Sequence, residues 1–193
     1  MELVDEFDGG FGWIADEFME RCSHALVVDG DAWLIDPLED ELVARAGRPA
    51  GVIQLLDRHN RDCAQLASRF GVPHQVVPRE RIGPFEFLPV RDRRRWQEVA
   101  LWWPERRVLV CADALGTADY FRARGERLGV HPLLRLRPPR LGVEPDVILC
   151  GHGPGVFEDA AAALREALSA SRRRIPGEVA SAVRAWRRRP RPR

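Results

Sequence analysis

The sequence predicts an α/β protein with one main domain, in which helices cover mixed β-sheets. Strand-like and helix-like segments alternate along the chain, a pattern typical of parallel strands joined by helices. The pair Asp29-Gly30 lies between two apolar runs, which is a strong signal for an antiparallel hairpin. The chain has 193 residues, of which 45% are hydrophobic, enough for one sizeable core. We therefore expect parallel and antiparallel strands in the same fold.

Apolar runs rich in β-branched residues predict the strands in order. The first two flank the Asp29-Gly30 turn, and the third is apolar almost throughout, as expected of a buried strand. The fifth and sixth are separated by an arginine-rich turn. The predicted strands are residues 25–28, 32–35, 51–56, 74–77, 85–90, 99–103, 108–111 and 146–150.

Three segments predict helices. In the first, at 61–70, apolar residues recur at helical spacing and Gly71 provides the stop signal. The second, at 117–128, is followed by Gly129. The third, at 157–170, is rich in alanine and begins with acidic residues, which favour a helix N-terminus.

The charge is distributed unevenly although the formal net charge is only +1. Residues 171–193 contain nine arginines and one glutamate, a net charge of +8, so that residues 1–170 carry −7. We expect residues 1–170 to form the main domain and 171–193 to form a basic tail, with a short helix at 178–186 and a frayed end. All 30 basic residues are arginine, which favours a coding bias over selection for nucleic-acid binding.

The cysteines and the N-terminus predict a cytoplasmic protein. None of the four cysteines forms a Cys-x-x-Cys pair, so a zinc ribbon or a thioredoxin motif is excluded. The N-terminus is acidic and lacks the apolar stretch of a signal peptide. No apolar run approaches the roughly 20 residues of a membrane span. We expect a cytoplasmic protein without a membrane partner.

Polar residues gather directly after three of the predicted strands. These segments are 57–63, 111–115 and 150–154. They resemble the metal-binding segments of the metallo-β-lactamase superfamily, and the residues Leu34-Ile35-Asp36-Pro37 look like the strand that precedes its first metal-binding loop. The resemblance covers residues 25–170 and implies a four-layer αββα sandwich with mixed sheets.

The first motif of that superfamily, His-x-His-x-Asp-His, is altered here. Arg58 and Asn60 stand at the first two histidine positions, Asp62 is kept, and Cys63 replaces the last histidine. His59 falls on a position between ligands, and only a shift in register would make it a ligand.

The later ligand positions are altered less. The turn at 91–96 contains no histidine, and Arg94 is the best match to the ligand position there. Asp113 matches the bridging aspartate, and His152 matches the histidine of the final Gly-His-Gly segment.

The resemblance implies that one of two metal ions is lost. Its histidine ligands are replaced by Arg58, Asn60 and Arg94, and arginine has no acceptor atom. Guanidinium groups would instead compensate the carboxylates. The second metal would keep four competent ligands, suited to zinc: Asp62, Cys63, Asp113 and His152.

Three functional hypotheses follow. The first is a diverged member without the dinuclear centre and without a cofactor, which is non-catalytic or binds a small anionic ligand. Its pocket would be lined by Arg58, Asn60, Asp62, Cys63, Arg94, Asp113 and His152. The second is a mononuclear zinc hydrolase that uses the four ligands named above. The third is a binder of nucleic acid or another anionic partner through the arginine-rich loop and tail.

A purely structural interpretation of the same residues also remains open. Asp113 would pair with Arg58 or Arg94, and His152 would form a hydrogen bond within its glycine-rich turn. Asp62 would favour the start of a helix and Cys63 would pack in the core. The sequence does not predict the substrate or the oligomeric state.

Overall fold

The computed structural model describes residues 1–175. Within them the chain forms two α-helices, α1 (Cys63–Phe70) and α2 (Ala160–Ala170). The first six strands are β1 (Glu2–Phe7), β2 (Gly10–Ile14), β3 (Cys22–Val28), β4 (Asp31–Ile35), β5 (Arg48–Gln54) and β6 (His74–Val76). The others are β7 (Glu86–Arg93), β8 (Trp96–Trp103), β9 (Val108–Cys111), β10 (Leu115–Gly116), β11 (Gly129–Val130) and β12 (Val147–Cys150).

The first six strands form one sheet in sequence order. Strands β1 to β4 are antiparallel, whereas β4, β5 and β6 run parallel to one another. The turn between β3 and β4 consists of Asp29 and Gly30, which have φ angles of 51° and 83°. Two successive positive φ angles define the turn type that matches the twist of a hairpin, so the Asp-Gly prediction is confirmed.

A second sheet has the strand order β12-β9-β8-β7. The edge strand β12 is parallel to its neighbour β9, whereas β7 and β8 form a long antiparallel hairpin. Strands β10 and β11 pair separately. Both large sheets therefore contain parallel and antiparallel strand pairs, as the sequence predicts.

The two large sheets pack face to face with a helix on each outer side. Alternate residues of the first sheet point to opposite faces, so that Ile53 enters the core between the sheets while Val52 packs beneath α1 with Leu66. Helix α2 packs against β12 and β11, with Leu164 buried in this contact. The order helix, sheet, sheet, helix gives the four layers that the resemblance implies.

The prediction of a helix at 117–128 is wrong. This segment consists of turns, and β10 and β11 at its two ends pair with each other, with Gly116 opposite Gly129. A straight helix of this length would separate its ends by about 18 Å. Pairing of the flanking strands therefore requires the segment to fold back on itself.

Contacts of the main domain continue past the predicted boundary at residue 170. Ser171 is buried, and its hydroxyl donates to the carbonyl oxygen of Arg135 at 2.7 Å. The predicted helix at 178–186 and the frayed end lie outside the described residues. No helix within residues 1–175 is long and apolar enough to cross a membrane.

Candidate metal centre and anion pocket

The candidate site lies where two pairs of parallel strands end. Asp36 follows β4, His59 follows β5, Asp113 follows β9 and His152 follows β12. Because parallel neighbours end at the same edge, and the two sheets face each other, these four side chains meet at one end of the sandwich. The backbone joins the two sheets at this end, where Cys22 N donates to Gly151 O at 2.9 Å.

Three of these residues form what we term the central cluster: His59, Asp113 and His152. The Nε2 atom of His59 lies 2.9 Å from Asp113 Oδ1, and the Nε2 atom of His152 lies 3.0 Å from the same oxygen. The three atoms that could bind a metal ion, one from each residue, lie within 4.8 Å of one another. The residues are between 5% and 9% exposed, so the cluster is buried.

The outer nitrogens of both imidazoles are fixed by acceptors. His152 Nδ1 lies 2.8 Å from the carbonyl oxygen of Met19, and His59 Nδ1 lies 3.0 Å from Asp36 Oδ2. A carbonyl or carboxylate oxygen accepts hydrogen bonds, so each Nδ1 carries a proton. In the neutral rings both Nε2 lone pairs then converge on Asp113 Oδ1. This arrangement requires positive charge between the rings and the carboxylate, either as protons or as a metal ion.

The other oxygen of Asp113 is held by Arg58. Arg58 Nη2 donates to Asp113 Oδ2 at 2.9 Å, and its guanidinium lies 4.2 Å from the centre of the Trp96 ring. Stacking on the indole and hydrogen bonding to the carboxylate together orient the guanidinium. The expectation that an arginine at a lost ligand position compensates Asp113 is therefore met by Arg58.

A buried carboxylate supports the cluster from behind. Glu98 Oε1 accepts hydrogen bonds from the backbone N–H groups of Asp113 and Ala114, at 2.9 and 2.7 Å. Its Oε2 accepts from Trp96 Nε1 at 2.6 Å. Burial raises the pKa of Glu98 to about 7, and the hydrogen bond from Trp96 partly opposes this rise.

The side chain of Arg61 joins the loops of the two sheets. Its guanidinium donates to the carbonyl oxygens of Asp36 at 2.7 Å and Gly151 at 3.1 Å, and also to that of Cys22. Arg61 has a φ angle of 39°, in the left-handed region. The backbone therefore turns sharply here, between β5 and α1.

The charges around the cluster shift two pKa values in opposite directions. Burial and nearby Arg61 lower the pKa of His59, but the carboxylates of Asp36 and Asp113 outweigh them and hold it above its ordinary value. Burial also opposes ionisation of Asp113, yet hydrogen bonds from His152 and His59 hold its pKa far below the usual range. Asp113 is therefore a carboxylate at neutral pH.

Of the proposed ligand set, the structure brings together Asp113 and His152 and places the other two residues elsewhere. Asp62 precedes α1, and its Oδ2 accepts from the backbone N–H of Glu39 at 2.7 Å. Cys63 begins α1 and packs under the six-stranded sheet, with its thiol 3.5 Å from His59 O. Burial raises the pKa of this thiol well above its ordinary value, which disfavours the thiolate that would bind a metal ion.

Two other residues of the predicted pocket also have different environments. Asn60 Oδ1 lies 3.5 Å from Gln54 Nε2, at the start of the loop. Arg94 is exposed at the tip of the β7–β8 hairpin, between Arg93 and Arg95. It does not line the cavity beside the cluster.

That cavity has a volume of about 490 Å³ and opens next to Arg58. Its lining is rich in arginine and aromatic side chains: Arg58, Arg91, Arg93, Arg95, Trp96, Tyr120, His131 and Leu133. Burial lowers the pKa of His131 to about 4, so this imidazole is neutral at pH 7. We term this space the arginine pocket.

Sequence reasoning missed four residues of this region. In the aligned first motif His59 falls between ligand positions, and Asp36 stands out only as part of the strand end before that motif. Glu98 and His131 carried no motif. A charged residue within a mostly apolar strand, as Glu98 is in β8, is the available signal for a buried functional group.

Solved metallo-β-lactamases share this fold. A metallo-β-lactamase from Erythrobacter litoralis aligns with a TM-score of 0.54 and 8% identity, over 89% of this chain and 92% of its own. DIM-1 metallo-β-lactamase exposed to ceftazidime gives 0.53 and 11%, over 88% and 97%. The BLEG-1 B3 metallo-β-lactamase gives 0.52 and 17%, over 76% and 93%.

The chain therefore has the metallo-β-lactamase fold, in agreement with the sequence-based prediction. No family model and no curated protein matches the sequence. Sequence identities this low establish the fold alone, and the function depends on the residues of the site.

The central cluster fits the zinc ion that the fold implies. Donor atoms of a tetrahedral zinc site lie ~3.3 Å apart, given zinc–ligand distances of ~2.0–2.1 Å. The two nitrogen–oxygen distances here, 2.9 and 3.0 Å, are slightly shorter than this value, and all three ligand atoms lie within 4.8 Å of one another. The outer hydrogen bonds of the imidazoles, to a carboxylate and a carbonyl, are those that orient histidine ligands in metal proteins.

Proposed function

We propose that this protein is a diverged metallo-β-lactamase-fold protein without a two-metal centre, which binds one divalent metal ion and a small anionic ligand beside it. The metal ligands would be His59 Nε2, an oxygen of Asp113 and His152 Nε2. This set replaces the one that the resemblance implied, since Asp62 and Cys63 point into other environments.

One observation carries the proposal. Two imidazole Nε2 atoms converge on a carboxylate oxygen while both Nδ1 atoms are committed to acceptors. Three acceptor atoms in one buried place are unfavourable unless a cation joins them. A divalent ion satisfies all three at once, whereas the alternative requires two buried imidazolium ions.

Arg58 supports a single-metal site. It holds the second oxygen of Asp113, the residue that would bridge two metals in the family. A fixed positive charge at that oxygen disfavours a second cation there. Because Arg58 also lines the arginine pocket, it links the metal site to the place where an anion would bind.

Metal-dependent hydrolysis is the second candidate function. It is favoured by the number of protein ligands, since three leave a coordination position open, as in catalytic zinc sites. A bound zinc ion supplies Lewis acidity and lowers the pKa of a bound water to about 7. Arg58 would orient the anionic group of the substrate and stabilise charge that develops on it.

Metal binding by the full chain tests the proposal. Protein purified without chelator should contain one zinc per chain by elemental analysis, and calorimetric titration of the stripped protein should give the same stoichiometry. His59→Ala and His152→Ala should each weaken zinc binding by at least about 100-fold, since each removes a ligand outright.

Matched variants serve as controls for this experiment. Asp62→Asn, Cys63→Ala and His74→Asn should leave zinc affinity within about threefold, because these residues lie outside the central cluster. A stoichiometry of two, the absence of zinc binding, or a large loss in Cys63→Ala would overturn the proposal.

A further inference from the structure

The arginine pocket contains more positive charge than its surroundings neutralise. Within residues 1–175, Arg58 pairs with Asp113, whereas Arg91, Arg93 and Arg95 have no carboxylate within 4.0 Å. The Nε atom of Arg91 is buried and lacks a hydrogen-bond partner there. Most other arginines of the domain, such as Arg135, are in ion pairs. Unneutralised guanidinium groups around a cavity favour an anionic ligand.

The β7–β8 hairpin directs these arginines to one side. Arg91 and Arg93 alternate with Asp92 along β7, so Asp92 lies on the opposite face, where it pairs with Arg79 at 3.0 Å. The cross-strand partners of Arg91 and Arg93 are Glu98 and Trp96, which belong to the wall behind the central cluster. The carboxylate of Asp92 is thereby kept out of the pocket, and that of Glu98 is occupied by three hydrogen bonds from Trp96, Asp113 and Ala114.

Flat side chains form the other wall of the pocket. The Trp96 and His131 rings pack edge to face, with centroids 4.9 Å apart. The backbone N–H of Leu133 donates to His131 Nδ1 at 3.1 Å, so the proton of the neutral imidazole lies on Nε2. This wall offers apolar ring surface together with one N–H donor.

We propose that the arginine pocket binds an aromatic phosphate monoester. Its phosphate would lie among Arg58 and the hairpin arginines, and its ring would lie against Trp96 and His131. A phosphate presents two charges and three terminal oxygens, which suits several guanidinium groups better than a carboxylate does. The volume of about 490 Å³ is in the range of small-molecule sites.

This inference rests on the proposed function, because it names the class of anion held beside the metal site. It does not require the metal for binding. The probe is phenylphosphonate, which has no ester bond to hydrolyse, titrated calorimetrically into the metal-free full chain. Phenylphosphonate should bind at least about tenfold more tightly than methylphosphonate or benzoate, which lack the ring and the second charge respectively.

Neighbouring arginines provide a matched comparison. Arg93→Gln and Arg95→Gln should each weaken phenylphosphonate binding about tenfold, since each removes a charged hydrogen-bond donor from the pocket. Arg94→Gln removes the same charge from the same turn but outside the pocket, and it should change binding less than twofold. All three positions are exposed, so the variants should fold normally.

Several results would overturn the inference. These are no binding of phenylphosphonate, equal losses in Arg93→Gln and Arg94→Gln, or equal affinity for phenylphosphonate and methylphosphonate. Zinc titration of the same variants separates this inference from the proposed function. Zinc binding without selective phosphonate binding overturns only the pocket inference, and the reverse pattern supports it while overturning the metal site.

Discussion

Glu98 accepts a hydrogen bond from the indole N–H of Trp96 at 2.6 Å, which ties a wall of the arginine pocket to the backbone of the central cluster. Its other oxygen accepts from two consecutive backbone N–H groups, those of Asp113 and Ala114. One buried side chain therefore satisfies three donors and fixes the loop that carries Asp113.

We predict that Glu98→Ala destabilises the protein by about 3 kcal/mol, because three buried donors lose their acceptor. Glu98→Gln retains one acceptor oxygen and should cost less, about 1 to 2 kcal/mol. Urea denaturation measures both values. Gln97→Ala, at an exposed neighbouring position, is the control and should change stability by less than about 0.5 kcal/mol. Similar losses at both positions would contradict this role of Glu98.

The segment after β10 is held by a fully buried ion pair. The Nη1 and Nη2 atoms of Arg135 donate to Glu126, at 2.9 and 2.6 Å, and Nη2 also donates to Phe121 O. Arg135→Met should cost about 3 to 5 kcal/mol in thermal or urea unfolding, because it leaves the Glu126 carboxylate buried without its main partner.

A double variant tests this explanation. Adding Glu126→Leu to Arg135→Met should restore part of the lost stability, since it removes the uncompensated charge. Arg137→Met, at an exposed position nearby, should have little effect. If the double variant is no more stable than Arg135→Met alone, the loss reflects packing and not charge.

The glycine after His152 holds the end of the Gly-His-Gly turn in place. Gly153 has a φ angle of 81°, and a Cβ atom there would lie 2.3 Å from Ala118 N. Gly153→Ala should therefore cost about 3 kcal/mol or more and displace His152, which weakens zinc binding. Gly142→Ala has a similar φ angle of 67° but no atom near its Cβ, and it should cost only about 1 to 2 kcal/mol. Equal effects on zinc affinity would contradict the prediction.

The pH dependence of stability should change sign when zinc is present. In protein freed of metal by a chelator, the pKa of His59 lies above its ordinary value of 6.5. The folded state therefore holds the second proton of this imidazole more tightly than the unfolded chain does. Its contribution to stability is complete below pH 6.5 and is lost as pH rises through the raised pKa. The pKa of Asp113 is lowered from 3.8, so its contribution is lost only in acid.

Urea midpoints measured from about pH 6 to 9 check this sign. For metal-free protein, the urea midpoint of the wild type should fall relative to that of His59→Gln as pH rises. With excess zinc it should rise instead, because metal binding requires deprotonated imidazoles. A wild-type curve parallel to that of His59→Gln under both conditions would contradict the assigned environment of His59.

Much of the fold followed from local sequence signals. The Asp29-Gly30 hairpin and the Gly71 helix stop have geometries that few other residues adopt, so their positions were predictable. The segment at 117–128 has a plausible helical composition, but the pairing of β10 with β11 is a tertiary constraint that composition does not reveal. In this segment the contacts at its ends outweigh helix propensity.

The candidate site was predicted as a region but not residue by residue. Asp113 and His152 lie at strand ends in both the prediction and the structure. His59 falls between the ligand positions of the aligned motif, but in the structure His59 N donates to Leu56 O and Arg61 has a positive φ angle. The backbone turns twice before α1, so the alternation of a strand no longer determines which way a side chain points.

Nitrogen-15 NMR of the histidine side chains, recorded with and without zinc, tests the central claim most directly. The chain has five histidines. One equivalent of zinc should shift the Nε2 resonances of His59 and His152, while their Nδ1 atoms remain protonated and the other three rings are unchanged. Unchanged spectra, or binding through Nδ1 or through other histidines, would contradict a metal site at the central cluster.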